Sequence, residues 1–159
     1  MSPSEKVSLL IVDDDEPIRK LLERVAVRAG FDVDTAKDGV EAFEMIERKA
    51  YAIAIIDLMM PRMCGYDLVQ KISTLKARPA IIVATAMTNG DVAKIDDTLV
   101  RRVIKKPFDV KAVAEALIET AKQIAEKQGL APAPEATVIR VEKNEDEAPQ
   151  KTKSDQPVN

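Results

Sequence analysis

The sequence predicts an α/β fold in which a doubly wound, five-stranded parallel sheet carries five helices on its two faces. Two features support this prediction. Short runs rich in isoleucine, valine and leucine alternate with longer segments in which apolar residues recur every three or four positions. The first pattern is typical of strands buried on both faces and the second of helices. Strict alternation with short connections favours parallel strands joined by helical crossovers that cover both faces of the sheet.

The first strand and the first helix lie next to an acidic cluster. Residues 7–12 form an apolar run that stops at the acidic residues 13–16. Apolar residues then recur with the helical period over residues 18–29. Gly30 predicts the end of this helix, because glycine is common just beyond a helix C-terminus. Asp15 is placed to cap the N-terminus.

The second and third strands are predicted at residues 31–36 and 51–56, and a helix begins between them at Asp38. Its inward face is predicted to carry Val40, Phe43 and Ile46. The third strand is almost entirely apolar, which is typical of a strand that is buried on both faces. It ends at Asp57, and turn residues then lead into a third helix after Gly65.

The fourth strand, residues 80–84, ends at Thr85. Turn-forming residues at positions 88–91 predict the cap of a weaker fourth helix. The fifth strand, residues 102–105, runs into a Lys-Pro pair. The last helix is predicted from an apolar stripe that keeps the helical period over residues 110–124 and therefore faces the core.

The chain of 159 residues divides into two parts by composition. Residues 1–128 hold all the predicted strands and helices and are long enough for one domain with a substantial core. Residues 129–159 are rich in proline and in charges of both signs and contain few large apolar side chains. They predict a disordered tail, because such a segment cannot bury enough apolar surface to fold.

The overall charge argues against two classes of partner. The formal net charge is −3 and the pI is near 5.2, so no basic surface for nucleic acid or for an anionic membrane is predicted. No apolar stretch approaches the roughly 20 residues of a membrane-spanning helix. The N-terminal residues also lack the apolar core of a secretion signal. We therefore expect a cytoplasmic protein.

The residue types that are missing restrict the chemistry. The chain has no histidine, and Cys64 is its single cysteine. Histidine-dependent nucleophilic sites, disulfide frameworks and cysteine-rich zinc sites are therefore excluded. The remaining reactive groups are carboxylates, lysines, threonines and the backbone. This set favours a hard cation with oxygen ligands, such as Mg²⁺.

Polar residues follow the carboxyl ends of four predicted strands. Asp13 and Asp14 follow the first strand, Asp57 the third, Thr85 the fourth and Lys106 the fifth. Doubly wound sheets bind their ligands at this edge, where the strand order reverses. With the flavodoxin-like order 2-1-3-4-5, the first and third strands are neighbours. The three carboxylates are therefore predicted to lie together.

Clustered carboxylates repel one another unless a cation neutralises them. Mg²⁺ suits such a site, because it takes oxygen ligands in near-octahedral geometry and keeps several of its waters. Asp57 would then be a nucleophile toward a phosphoryl group. Lys106 would place a positive charge on the phosphoryl oxygens, and Thr85 would donate a hydrogen bond to one of them.

Each of these residues has a simpler explanation when it is taken alone. The acidic residues 13–16 would favour any helix N-terminus. Thr85, Lys106 and Asp57 are of types that are common in turns, on surfaces and at caps. The simpler explanations do not account for the placement of all of them at one edge of the predicted sheet.

Four segments of the chain resemble the receiver domain of bacterial two-component response regulators, in its stand-alone, chemotaxis-type form. They are Leu10-Ile11-Val12-Asp13-Asp14-Asp15-Glu16-Pro17, Asp38-Gly39-Val40-Glu41-Ala42, Ile56-Asp57-Leu58-Met59-Met60-Pro61 and Lys106-Pro107-Phe108. The resemblance extends over residues 7–127. In that family, the aspartate that ends the third strand takes a phosphoryl group from a histidine on a sensor kinase or on a histidine phosphotransfer protein.

The resemblance implies a role for each site residue. Asp57 would be the phosphoacceptor, Lys106 would contact the phosphate, and Thr85 would supply the switch hydroxyl. The implied Mg²⁺ ligands are Asp13, Asp14, Asp57 and the backbone carbonyl of Met59. Asp14 is expected to bind the ion directly, whereas Asp13 is expected to act largely through water.

Three departures from the family pattern affect positions near the site. Val103 stands where receivers usually carry an aromatic residue, so the usual coupling between that ring and Thr85 is not expected. Cys64 replaces an aspartate in the loop after the third strand, where a change in capping is predicted. Residues 96–101 replace a Gly-Ala segment that usually precedes the fifth strand.

The implied function is that of a phosphoacceptor signalling protein, not of an enzyme beyond its own phosphorylation and dephosphorylation. Phosphorylation is expected to change the surface formed by the fourth helix, the fifth strand and the last helix. That surface would bind a protein partner that the sequence does not name. The chain itself is expected to be a monomer or a weak, phosphorylation-dependent homodimer.

Two alternatives use the same residues differently. The sequence Asp13-Asp14-Asp15 formally fits the Asp-x-Asp motif of Mg²⁺-dependent phosphatases of the haloacid-dehalogenase type. Pro17, however, stands where that motif requires threonine or valine, and Asp57 would have no role. The second alternative is an adaptor receiver that acts without phosphorylation, and the complete set of site residues argues against it.

Overall fold

The computed structural model describes residues 6–86, 95 and 98–127. They form an α/β fold around a five-stranded sheet with the order β2-β1-β3-β4-β5, and every neighbouring pair is parallel. The strands are β1 (Ser8–Val12), β2 (Asp32–Ala36), β3 (Ile53–Ile56), β4 (Ala80–Thr85) and β5 (Val100–Lys105). The predicted fold class and strand order are confirmed.

Four helices lie within the described residues, and all four were predicted. They are α1 (Glu16–Arg28), α2 (Gly39–Arg48), α3 (Gly65–Ser73) and a C-terminal helix (Val110–Lys127). The predicted fourth helix falls almost wholly outside the described residues, apart from Ile95 and from Thr98 and Leu99 in the turn before β5. The predicted tail, residues 129–159, also lies outside them. Both stay predictions.

The sheet is covered on both faces, which explains why its strands are almost continuously apolar. Along β1, Leu9 points to the face that packs against α1 and the C-terminal helix, where it joins Leu117 in one core cluster. Leu10 points to the other face and packs in a second cluster with Leu68 of α3. Each fully buried leucine contributes about 1.5–3 kcal/mol to folding. Both helical layers therefore stabilise β1 through its side chains.

The inward face of α2 differs from the prediction in detail. The fully buried residues are Gly39, Ala42 and Ile46, whereas Val40 and Phe43 are partly exposed. The Phe43 ring lies at the edge of the contact with α3, and the Lys71 ammonium covers it at 5.1 Å from the ring centre. Phe43 still packs against the core cluster on this face of the sheet, although part of its ring is exposed. The prediction had instead favoured the largest apolar side chains.

The strand ends also shift by a few residues. β3 begins at Ile53 and not at position 51, although Tyr51 is buried just before it. β5 begins at Val100 and not at position 102, and its register with β4 is irregular between Ile81 and Ile82. These shifts occur at the amino ends of the strands and leave the carboxyl ends where they were predicted.

None of the described helices is both long and apolar enough to span a membrane.

Candidate functional site

The loop between β1 and α1 holds Asp13 firmly and leaves Asp14 open to solvent. The Asp13 N–H donates to the Ala36 carbonyl at 3.2 Å, so this residue still belongs to the edge of the sheet. Its Oδ1 accepts from the Asp15 N–H at 2.9 Å, and its carbonyl accepts from Arg19 Nη1 at 2.8 Å. Asp13 is buried and Asp14 is exposed. The loop thus offers one fixed carboxylate and one that faces water.

Asp57 directly continues β3 and is buried. Its N–H donates to the Val12 carbonyl at 3.0 Å, and its Oδ1 accepts from the Met59 N–H at 3.1 Å. The chain then turns sharply, and the Gly65 N–H donates to the Leu58 carbonyl at 3.0 Å. A Cβ at position 65 would lie 2.6 Å from Leu58 Cα. Glycine is needed there because α3 begins in contact with the backbone that carries Asp57.

Lys106 places an ammonium group between two carboxylates. Its Nζ lies 2.8 Å from Asp13 Oδ2 and 3.1 Å from Asp57 Oδ2. Its backbone N–H donates to the carbonyl of Thr85 at 3.0 Å, and its peptide bond to Pro107 is cis. Thr85 is fully buried at the end of β4. Strands β1, β3, β4 and β5 therefore all deliver polar groups to one edge of the sheet.

The electrostatics of this edge reflect an excess of buried negative charge. Burial raises the pKa of the Asp57 carboxyl, and the charge of Asp13 acts in the same direction, against the Met59 N–H and the Lys106 ammonium. Burial alone would lower the pKa of Lys106. Its hydrogen bonds and charge interactions with the two carboxylates outweigh that effect and raise its pKa. One ammonium cannot neutralise all the carboxylates, so the site favours a further cation.

The carboxylates fit a hard divalent ion. Asp13, Asp14 and Asp57 each offer one oxygen, and these three oxygens lie within 4.8 Å of one another. Around an octahedral Mg²⁺, neighbouring ligand oxygens lie about 3 Å apart and opposite ones about 4 Å apart. Small side-chain rotations would therefore bring the three oxygens to ligand spacing. The exposure of Asp14 leaves that side open for the waters that Mg²⁺ retains.

The structure brings together most of the predicted site residues. Asp13, Asp14, Asp57 and Lys106 form one cluster, and the backbone of Thr85 contacts Lys106. Met59 contacts Asp57 through its backbone N–H, while its side chain is exposed. The predicted role of Thr85 is a contact with a bound phosphoryl group, and that of the Met59 carbonyl is a contact with a bound ion. Both stay predictions.

Two of the three departures from the family pattern have visible structural effects. Val103 is 40% exposed on β5, opposite Val83. Cys64 occupies the N-cap position of α3 but makes no side-chain capping bond. Its Sγ instead donates to Asp67 Oδ2 at 3.6 Å. Cys64 therefore does not cap α3 through its side chain.

Sequence reasoning missed the residues that hold the site loops in place. Arg19 binds the Asp13 carbonyl from one turn inside α1. Arg62, in the loop between β3 and α3, pairs with Asp38 at the start of α2. The position of Arg19, one turn after the cap residue Asp15, was a weak signal for the first contact. Nothing in the sequence indicated the second, because residues 38 and 62 meet only in the folded chain.

Comparison with known proteins agrees with this geometry. The model of the response regulator receiver domain matches residues 9–118. Transcriptional regulatory protein SrrA of Staphylococcus aureus is 34% identical over 110 residues, which cover 66% of this chain and 44% of that protein. The chain thus spans less than half the length of the curated relatives it matches.

Solved structures show the same fold. The chemotaxis protein CheY4 of Vibrio cholerae superposes with a TM-score of 0.68 at 24% identity, covering 73% of this chain and 99% of that one. A putative response regulator from Chloroflexus aurantiacus gives a TM-score of 0.69 at 25% identity, covering 73% of this chain and 98% of that one. In both comparisons the matched part of this chain corresponds to nearly the whole of the other chain.

Proposed function

This chain belongs to the response regulator receiver family, and from that premise we propose that Asp57 accepts a phosphoryl group from a phosphohistidine of a sensor kinase or a histidine phosphotransfer protein. The chain is a regulatory phosphoacceptor and not a catalytic enzyme. One observation carries the proposal: Asp57 and Asp13 share the Lys106 ammonium at 3.1 and 2.8 Å, and Asp14 completes an acidic group around them. Membership in this family argues against the phosphatase alternative.

In the proposed transfer, a carboxylate oxygen of Asp57 attacks phosphorus, and the bond between phosphorus and the donor's imidazole nitrogen breaks. The leaving imidazole keeps the electron pair of that bond, and Asp57 becomes an acyl phosphate. Burial supports the reaction, because a poorly solvated carboxylate is a better nucleophile than one surrounded by water. The 159 residues contain no histidine, so the proposed donor is a phosphohistidine that lies outside them or a small acyl phosphate.

Lys106 is the proposed partner of the new phosphoryl group. Its Nζ now bonds Asp57 Oδ2 at 3.1 Å, within reach of any oxygen that becomes attached to that carboxylate. A point charge in a mostly buried position stabilises the added negative charge more strongly than it would in water. Thr85, at the neighbouring strand end, would donate its hydroxyl to another phosphoryl oxygen and so sense phosphorylation.

Mg²⁺ is the proposed cofactor, held by Asp13, Asp14, Asp57 and the backbone carbonyl of Met59. When bound, it would neutralise the clustered carboxylates and the incoming phosphoryl oxygens. Asp13 is oriented for this role by three hydrogen bonds, from Asp15, Arg19 and Lys106. Asp14 faces solvent and would bind the ion with little rearrangement.

The proposed output is a change in the surface around β5 and the C-terminal helix. Val103 is exposed there, and Arg102 of β5 is tied to Glu119 of the helix at 2.6 Å. The partner would be a protein that binds this surface in one phosphorylation state. SrrA is a transcriptional regulatory protein, but the match covers less than half of it, and we propose no nucleic-acid partner. We propose a monomer or a weak, phosphorylation-dependent homodimer.

The test is phosphorylation by a small acyl phosphate. The protein is incubated with acetyl phosphate and Mg²⁺, and the covalent phosphate is measured by intact mass. The wild-type chain should gain one phosphate, whereas Asp57→Asn and a sample in EDTA should gain none. Absence of label on the wild-type chain would instead support the adaptor alternative.

A further inference from the structure

The loop that carries Met59 contains one residue in an uncommon backbone conformation. Arg62 has a φ of 69°, in the left-handed region that side chains other than those of glycine, asparagine and aspartate rarely adopt. Such a residue persists only where contacts around it impose the conformation. Two contacts from the start of α2 reach this part of the loop.

Asp38, at the start of α2, supplies the first contact. Its Oδ2 lies 3.2 Å from Arg62 Nη1, and its side chain is only 6% exposed, compared with 59% for Arg62. The other oxygen, Oδ1, caps α2 by accepting from the Glu41 N–H at 2.9 Å. A buried carboxylate needs a cation as well as a hydrogen bond. Among the described residues, Arg62 is the cation paired with it.

Gly39 supplies the second contact. A Cβ at this position would lie 2.8 Å from the Met63 carbonyl oxygen and 2.9 Å from Met63 Cβ. The start of α2 and the loop therefore touch with no space for a side chain between them. Arg62 and Met63, next to each other in the loop, are both held by the first two residues at the α2 terminus.

The geometry points to Arg62 and Asp38 as positioning residues for the metal side of the phosphoacceptor site, an inference that rests on the proposed function. The two residues anchor the far end of the loop whose near end is fixed by the bond from the Met59 N–H to Asp57 Oδ1 at 3.1 Å. With both ends fixed, the Met59 peptide is held beside the carboxylates. Without the ion pair, the loop would relax at position 62 and the Met59 carbonyl would be held less firmly.

The variants separate charge from backbone conformation. Arg62→Gly removes the guanidinium and still allows positive φ, and Arg62→Lys restores a cation at the same position. Asp38→Asn removes the negative charge and keeps a good N-cap. Arg48→Ala, an exposed arginine at the other end of α2, is the control. The double variant Asp38→Asn with Arg62→Gly tests whether the two residues act as a pair.

Two measurements are made on the full chain. The first is Mg²⁺ affinity by calorimetric titration. The second is amide hydrogen exchange in EDTA, which reports on the loop without any ion. Arg62→Gly should weaken Mg²⁺ binding about two- to fivefold, the range expected for one partly exposed ion pair, and should speed exchange of the Met59 amide. Arg62→Lys should recover most of both effects, and Arg48→Ala should change neither.

The double variant should bind Mg²⁺ no more weakly than Arg62→Gly does, because either single substitution already removes the interaction between the two residues. Unchanged Mg²⁺ affinity and Met59 exchange in Arg62→Gly and in Asp38→Asn would overturn the inference, as would strictly additive effects. Failure of the proposed function gives a different result. A wild-type chain that acetyl phosphate does not label refutes phosphoacceptance, while the exchange measurement in EDTA still decides whether the pair holds the loop.

Discussion

Two clusters of one lysine and two aspartates lie at opposite ends of the sheet. The buried cluster, at the carboxyl ends of the strands, contains Lys106, Asp13 and Asp57. The exposed cluster, near the amino ends, contains Lys49, Asp32 and Asp34. The distances are similar, at 2.8 and 3.1 Å in the buried cluster and 3.0 and 3.6 Å in the exposed one. Residue types and spacing do not distinguish the two clusters.

Their solvent exposure does distinguish them. The side chains of the buried cluster are 14%, 1% and 7% exposed, whereas Lys49 and the two aspartates beside it are 43%, 58% and 37% exposed. Burial raises the pKa of Asp57. The Tyr51 hydroxyl, which donates to Asp34 at 2.7 Å, leads the interactions that lower the pKa of Asp34. The same chemical groups are suited to phosphoryl chemistry in one place and to surface pairing in the other.

The largest expected effect comes from removing the cation of the buried cluster. Lys106→Met keeps the length of the side chain but leaves two buried carboxylates without their partner. The free energy of unfolding should fall by about 3 kcal/mol in EDTA at neutral pH, because breaking a buried ion pair leaves an uncompensated charge. Denaturant unfolding measures this, and added Mg²⁺ should restore part of the loss. A loss below about 1 kcal/mol would mean that water already solvates this cluster.

A smaller effect is expected from Tyr51→Phe, which removes a hydroxyl from the exposed cluster. The ring stays buried, but the hydrogen bond to a charged carboxylate is lost. The free energy of unfolding should fall by about 1.5 kcal/mol, without any change in labelling by acetyl phosphate. An equal loss in a protein that already carries Asp34→Ala, which has no side-chain acceptor, would show that the hydroxyl acts through another group.

Acid should weaken the contribution of Asp34. Its pKa in the folded chain lies below the ordinary value of 3.8, so the stabilisation is complete above that value and is lost as the pH falls through the lowered pKa. The difference in unfolding free energy between wild type and Asp34→Asn should therefore be constant near neutral pH and shrink below pH 3.8. A difference that already shrinks between pH 7 and 5 would contradict the assignment.

The smallest effect is expected from Lys49→Met, the counterpart of the lysine substitution in the buried cluster. Lys49 lies at the opposite end of the sheet from Asp57, so its substitution should not change labelling by acetyl phosphate. Its loss should reduce stability by less than Tyr51→Phe does, and high salt should remove the difference, because water and ions screen an exposed pair. If both lysine substitutions cost the same, burial would not be what separates the clusters.

The sequence was informative where the signal is local. Short, continuous apolar runs predict the sheet, and the residue that ends each run predicts which side chains reach its carboxyl edge, so Asp13, Asp57 and Lys106 were found. The same reasoning placed Val40 and Phe43 inward, and both are partly exposed, because periodicity gives the inward side of a helix but not how deeply each side chain is buried. The Arg62–Asp38 pair was not predictable, since it depends on a left-handed residue with no glycine to signal it.

The hydrogen bond from the Lys106 N–H to the Thr85 carbonyl has a mechanical consequence. It follows the last paired residues of β4 and β5, and it joins the backbone of Thr85 to that of Lys106, whose Nζ bonds Asp57. A shift of the Thr85 backbone would therefore either break this hydrogen bond or displace the C-terminal end of β5 as well. Because β5 is an edge strand of the sheet, such a displacement would directly change the surface of the protein.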